Sequence, residues 1–151
     1  MIALPNRYPA RLASSSGADL AVIWSRAGRA VVCSQPADLF AAGTTWRATE
    51  PLAIGVLQRD PTAVAASLPS LWRAVTEPPA AAVSLELSSD LVLSLGWYVA
   101  PAGDELPTEF RNLLDDVSAV AAALEAAESA QALSQAGACL LYTSDAADEE
   151  D

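Results

Sequence analysis

The stretch VSLELSSDLVLSLGWYV, residues 83–99, predicts a β-hairpin at the centre of the fold. Apolar residues occupy every second position on both sides of a short polar break: Val83, Leu85, Leu87, Leu91, Leu93, Leu95, Trp97 and Val99. A period of two places side chains of this kind on one face of a sheet. The break, Ser88–Asp90, has the composition of a tight turn. We therefore expect two strands, each with one apolar face.

A second hairpin is predicted upstream, between residues 20 and 33. Alternating residues from Leu20 to Ser25 lead into a turn that contains Gly28, and an apolar run, Ala30–Cys33, follows. Two hairpins of this kind supply the centre of an antiparallel sheet. Trp24, Trp72 and Trp97 each have apolar neighbours at the expected period and are predicted to lie in the core.

The segment between the hairpins supports two interpretations. Asp60 followed by Pro61 is typical of a helix start, with an N-cap and a proline in the first turn. Pro69 opposes one long helix, because a proline in mid-helix costs about 3 kcal/mol. We favour a helix over Pro51–Gln58, an edge strand over Pro61–Ala66 and a helix over Ser70–Thr76, while strand or helix stays open throughout 51–76.

A long helix is predicted from about Pro107. Its apolar stripe, expected to pack on the sheet, consists of Phe110, Leu113, Leu114, Val117, Val120, Ala121 and Leu124. After Glu125 the stripe gives way to Ala and Gln, and nothing breaks the helix before Gly137. Some 30 residues would span about 45 Å, more than a small sheet covers. The distal part is thus expected to connect to another element and to pair with a second copy of the chain.

The fold class that follows is α+β, an antiparallel sheet of two hairpins with flanking helices and a long C-terminal helix. The expected divisions are 1–17 as the remnant of an N-terminal helix or a linker, 18–128 as the domain, 129–138 as the start of the connecting helix and 139–151 as a tail.

Composition narrows the function classes. The chain of 151 residues has no His, all eight basic residues are Arg, and the net charge is −11. Such acidity argues against a nucleic-acid backbone as partner. Without His, and with two cysteines, the usual catalytic and metal-binding sets are missing. We expect no catalysis, no metal and no cofactor, and, with no membrane span predicted, a cytoplasmic location.

The last thirteen residues, CLLYTSDAADEED, differ from the rest of the chain. Cys139–Glu149 resembles an in-frame translation of a transposon adapter used in sequencing-library preparation. The absence of Lys is typical of a high-GC bacterium, whose codons would rarely supply that tail. We expect residues 139–151 to be disordered and the natural effector region beyond Ala138 to be missing. A genuine acidic tail is the alternative.

Several phrases of the sequence together resemble a GAF domain, a sensing module common in bacterial signalling proteins. GADLAVIW at 17–24 resembles the first strand of the family, after a helix around Ala10–Ser14, and PLAIGVL at 51–57 is similar to its short helix before an edge strand. Residues 82–97 resemble the second hairpin, and LPTEF at 106–110 with VSAVAAALEAA at 117–127 resembles the closing helix. The resemblance covers residues 10–128.

The resemblance implies a regulatory domain that senses a ligand or partner. Histidine kinase, serine phosphatase and RNA-binding outputs are the effectors that it suggests. It implies neither a bilin nor a haem nor a cyclic nucleotide, because Cys33 lies within a predicted strand and the chain lacks His and Lys. A non-sensing interaction or chaperone-like module, and a non-catalytic fragment of a larger enzyme, remain as alternatives.

Individual residues give the candidate sites. Trp46, Arg47 and Trp24 are the candidates for a ligand pocket between the sheet and the loop at 43–49. Leu113, Val117, Val120 and Leu124 are the candidates for a dimerising and signalling helix. Cys33 is predicted to be a buried, unreactive thiol. Asp115 and Asp116 point away from the apolar stripe and are predicted to face solvent.

Overall fold

The structure, a computed structural model, describes residues 7–41, 43–45, 54–60, 62–64, 71–72, 75, 77–103 and 105–144, with side chains described as far as residue 130. Within these residues the fold is α+β, as predicted. The elements are α1 (Arg7–Ser16), β1 (Leu20–Ser25), β2 (Ala30–Gln35), β3 (Ala81–Glu86), β4 (Leu91–Trp97) and α2 (Thr108–Ser144).

The four strands form one antiparallel sheet in the order β2-β1-β4-β3. Both predicted hairpins are confirmed, with turns at 26–29 and 87–90, and they meet where β1 pairs with β4. The register between β1 and β2 shifts at Ile23 and Trp24, so β2 has one extra residue there. Because the sheet is joined through the two inner strands, each hairpin contributes one central and one outer strand.

A short extended segment lies along the outer side of β3. Ile54 forms a bridge with Ser84, and Gln58 forms one with Ala82. Gly55 adopts a positive φ of 79° between these contacts, a conformation that glycine adopts without strain. The helix predicted over Pro51–Gln58 is therefore wrong for residues 54–58, which pair with the sheet; residues 51–53 lie outside the described part.

The predicted edge strand over Pro61–Ala66 is also wrong where the structure describes it, since residues 62–64 are helical. Asp60 begins this helical turn. Its side-chain Oδ1 accepts a hydrogen bond from the backbone N–H of Thr62 at 3.3 Å, and its carbonyl accepts one from Val64 at 2.9 Å. The helix-start signal at Asp60 thus decides the local structure. Of the helix predicted over 70–76, Leu71 and Trp72 are helical, whereas Val75 lies in a bend and the other residues are outside the described part.

Helix α1 is longer than the helix expected around Ala10–Ser14, and it is part of the core. Leu12 is fully buried and packs against the sheet and α2. The helix ends at Gly17, whose φ of 77° allows the N–H of Ala18 to bond back to the carbonyl of Ala13 at 3.0 Å. This turn leads directly into β1.

Helix α2 has 37 residues and therefore a length of about 55 Å. It continues through Gly137, where we expected it to end, and includes Cys139–Ser144, where we expected a disordered tail. Residues 145–151 lie outside the described part of the chain. One Gly within a helix costs about 1 kcal/mol, which the helical residues on both sides offset.

Two apolar layers cover the sheet, one on each face. We call the face that α1 and α2 cover the helix face; its sheet residues include Ile23, Leu93 and Leu95. The opposite face carries Leu20, Val22 and Trp24 of β1 and packs against Phe40, Val64, Leu71, Trp72 and Val75. Val99, expected on the same face as Leu95, follows the end of β4 and is 82% exposed.

None of the described helices combines the length and the apolar character that crossing a bilayer requires.

Candidate functional site

The face opposite the helices carries a row of serines across the sheet. Ser34 pairs with Val22, Val22 pairs with Ser94, and Ser94 pairs with Ser84, so three of the four residues in this row are serines. All three are buried. We therefore call this side of the sheet the serine face. The neighbouring row, on the helix face, takes one residue from each strand in the same strand order: Cys33, Ile23, Leu93 and Leu85.

Trp24, one of the three predicted pocket residues, lies on the serine face and is fully buried. Its indole Nε1 donates a hydrogen bond to Ser94 Oγ at 2.9 Å, and the Ser94 and Ser84 hydroxyls share another at 2.9 Å. Trp24 therefore lies in the core, as the sequence predicted. Its hydrogen bond to Ser94 could not be predicted from the alternation of apolar and polar residues. The other two predicted pocket residues, Trp46 and Arg47, lie outside the described residues.

Trp72 lies over a second part of the serine face. A side-chain carbon placed on Gly96 would come within 3.4 Å of the Trp72 ring and 3.1 Å of Pro79, so the ring packs against a position with no side chain. Trp72 is 1% exposed, and among the described contacts its Nε1 has no hydrogen-bond acceptor. An unsatisfied buried donor costs about 1–3 kcal/mol, so a hydrogen-bond acceptor brought to this group would stabilise it.

Arg29 supplies a further donor beside the same layer. Its guanidinium carbon lies 5.9 Å from the centre of the Trp24 ring, and its buried Nη1 has no acceptor among the described contacts. Arg29 sits in the β1–β2 turn with a positive φ of 48°. Together with Trp72, it makes the serine face rich in donors, which suits a ligand that carries hydrogen-bond acceptors or negative charge.

The helix face has a different chemistry. Cys33 is 4% exposed there, and burial raises the pKa of its thiol from 9.0 to about 12. The thiol is therefore protonated at neutral pH and a poor nucleophile, as predicted. Among the described residues no cluster of Cys, Asp and Glu could hold a metal ion.

An open groove of about 490 Å³ lies between the two helices. Its lining is Arg11, Ser14, Ser15, Glu109, Asn112, Leu113 and Asp116. The lining combines one cation with two carboxylates, and most of these side chains are exposed. The groove is a polar surface feature and lacks a buried polar group directed into it.

The four residues predicted for a signalling helix divide into two pairs. Val117 is 1% exposed, and Leu113 is partly buried against the helix-face core. Val120 and Leu124 are 37% and 38% exposed, so the prediction that they pack on the sheet is wrong. The buried stripe of α2 ends at Ala121 because the sheet ends there, although the apolar spacing continues. Asp115 and Asp116 are exposed, as predicted.

Glu125 was not predicted to have a partner. It is half-buried, and its two carboxylate oxygens accept hydrogen bonds from Ser88 at 2.7 Å and Ser89 at 2.9 Å in the β3–β4 turn. The partners lie 36 and 37 residues away, so no local pattern could have identified them.

Comparison with protein-family models, curated proteins and solved structures finds no match to this chain.

Proposed function

We propose that the chain is a regulatory domain of a bacterial signal-transduction protein, similar to a GAF domain, that senses a small ligand or partner and passes its state along α2. The observation that carries this proposal is the position of α2. Its first half is built into the core through Phe110, Val117 and Ala121, while the described side chains after Glu125 are exposed. A helix of this kind connects the packing of a sheet to whatever contacts its far end.

The serine face is the proposed sensing site. The indole N–H of Trp72, which has no acceptor among the described residues, supports this placement, because a ligand acceptor would satisfy it. The helix face is already covered by α1 and α2. A change of packing on the serine face would act on β1 and β4, the central strands that contact both layers.

Homodimerisation through α2 is the second part of the proposal. Val120 and Leu124 lie one turn apart and are each more than a third exposed. Ala127, three positions after Leu124, lies on the same side of the helix, and its small side chain lets two helices approach closely. Pairing α2 with its copy would cover this exposed apolar surface.

The test of the dimer is a double substitution, Val120→Glu with Leu124→Glu, analysed by sedimentation velocity. Wild type should sediment as a dimer and the variant as a monomer. Ala122→Glu is the matched control, since a residue two positions away points to the opposite side of a helix, and it should leave the dimer intact. A wild-type monomer at 100 μM or so would exclude the dimer.

The test of the sensing site is a thermal-shift screen with small aromatic carboxylates and phosphates, repeated on Trp72→Phe. A compound that binds the serine face should raise the Tm of wild type and lose that effect in Trp72→Phe. Stabilisation that persists in the variant would place the compound elsewhere.

A non-sensing interaction module is the alternative of a different class. That function favours an exposed apolar sheet face, whereas the described apolar residues of both sheet faces are buried or partly buried. This observation counts against the interaction module. A cytoplasmic location and a non-enzymatic role belong to the same proposal.

A further inference from the structure

The two hairpin turns and α2 meet at one end of the sheet, and hydrogen bonds join all three. Glu125 of α2 accepts from the hydroxyls of Ser88 and Ser89. The Ser88 hydroxyl also accepts a hydrogen bond from the N–H of Leu91 at 3.1 Å, which closes the β3–β4 turn. We call Glu125, Ser88 and Ser89 together the clamp. Its Ser88 hydroxyl thus also helps to shape the β3–β4 turn.

The same turn is tied to the β1–β2 turn through Asp90. One carboxylate oxygen of Asp90 accepts from Ser25 Oγ at 2.6 Å and the other from the N–H of Ala27 at 2.9 Å. Arg29 belongs to that second turn and lies over Trp24 on the serine face. A continuous set of contacts therefore passes around the end of the sheet, from the serine face to α2.

The clamp lies where α2 leaves the domain. Ala121, one turn before Glu125, is fully buried, whereas the side chains of residues 126–130 are exposed. Hydrogen bonds to a carboxylate are about twice as strong as neutral ones. Two of them on one side chain fix both the distance and the rotation of the helix at that point.

We propose that the clamp is the coupling element that determines whether the distal half of α2 moves with the sheet. When both serines hold Glu125, the helix is continuous with the domain in a fixed orientation. When a change in the contacts of Asp90 moves the β3–β4 turn, the two serines release Glu125. The distal helix then becomes free to fray or repack. This inference rests on the proposed role of α2 as the output of the domain.

Hydrogen exchange measured by mass spectrometry on the full chain tests the clamp. Glu125→Gln removes the charge, and Ser88→Ala with Ser89→Ala removes both donors. We expect amide exchange in residues 122–144 to become about tenfold faster in the serine variant and at least threefold faster in Glu125→Gln. Asp115→Asn removes the same charge from an exposed position of the same helix and should change nothing.

Combining all three substitutions should give no more than the effect of the serine variant, because that variant already removes both bonds to Glu125 together with the Leu91–Ser88 bond. Exchange that matches Asp115→Asn, additive effects, or a change confined to residues 86–91 and 122–128 would each overturn the proposal. Sedimentation of the same samples separates the two ideas. A monomeric wild type removes the proposed dimer, while the exchange pattern still decides whether the clamp controls α2.

Discussion

The two faces of the sheet are equally well buried but differ in what they bury. The helix face is lined by aliphatic and aromatic side chains, and Phe110 of α2 fills it without a polar group. The serine face combines aliphatic side chains with buried serines beneath two indoles, and two donors there, Trp72 Nε1 and Arg29 Nη1, have no acceptor among the described contacts. The comparison shows that burial alone does not mark a structural layer. Unsatisfied polar groups among the described residues distinguish the serine face from the helix face.

The largest effect should come from the helix face. Phe110→Ala removes a fully buried ring and should lower the free energy of unfolding by about 3–5 kcal/mol, measured by urea denaturation. Leu124→Ala, on the same helix but beyond the sheet, should cost less than about 1 kcal/mol. Equal losses would mean that the sheet covers Leu124 as well.

On the serine face, the two indoles should respond differently to the loss of their N–H groups. Trp24→Phe breaks a formed hydrogen bond to Ser94, whereas Trp72→Phe removes a donor that has no acceptor. We expect Trp24→Phe to destabilise the ligand-free protein by about 1–2 kcal/mol more than Trp72→Phe. Thermal and urea denaturation of both variants check this difference. If Trp72→Phe lowers the free energy of unfolding more than Trp24→Phe does, the Trp72 N–H has a hydrogen-bond partner. The two faces then do not differ in unsatisfied polarity at this position.

The contribution of Cys33, on the helix face, to the free energy of unfolding should depend on pH. The folded-state pKa of about 12 lies above the unfolded value of 9.0, so the native state keeps the thiol proton where the unfolded state releases it. The stability that this burial contributes is complete below pH 9 and declines as the pH rises from 9 towards 12. Denaturation at pH 7.5 and 10 should show this decline in wild type and a weaker one in Cys33→Ala. Identical slopes would indicate that the thiolate is solvated on the helix face.

The smallest effect should occur at the surface of the turns. Arg26 and Glu86 form an ion pair at 3.3 Å, with side chains 41% and 59% exposed. Glu86→Gln should cost less than about 1 kcal/mol, since water and salt screen exposed pairs. Asp90→Asn, in the neighbouring turn, should cost more because two hydrogen bonds converge on that carboxylate. Denaturation in low and high salt would separate the two.

The parts of the fold that could be predicted depend on short-range patterns of apolar residues. Alternation in 83–97 placed both strands of the second hairpin, and an apolar stripe placed the start of α2. The segment at 54–58 has no alternation, and its pairing with β3 depends on a strand more than twenty residues away. At Asp60 the helix-start signal was right for residues 62–64, and the preference for a strand there was wrong.

The candidate site was less predictable for the same reason. The serine row exists only once the register of three strand pairs is known. The clamp at Glu125 joins residues more than thirty positions apart. Val120 is exposed although the neighbouring Ala121 is fully buried, and Leu124 is exposed although it continues the apolar spacing, so spacing alone does not show which positions the core covers.

The tryptophans divide between the two layers, and this distribution makes the protein its own optical probe. Trp24 and Trp72 emit from the serine face, while Trp97, 3% exposed, emits from the helix face. With Trp46 replaced by Phe, a further Trp97→Phe change would restrict fluorescence to the serine face, and the Trp24→Phe, Trp72→Phe pair would restrict it to the helix face. Loosening of one layer ahead of the other would then appear as a shift in emission colour.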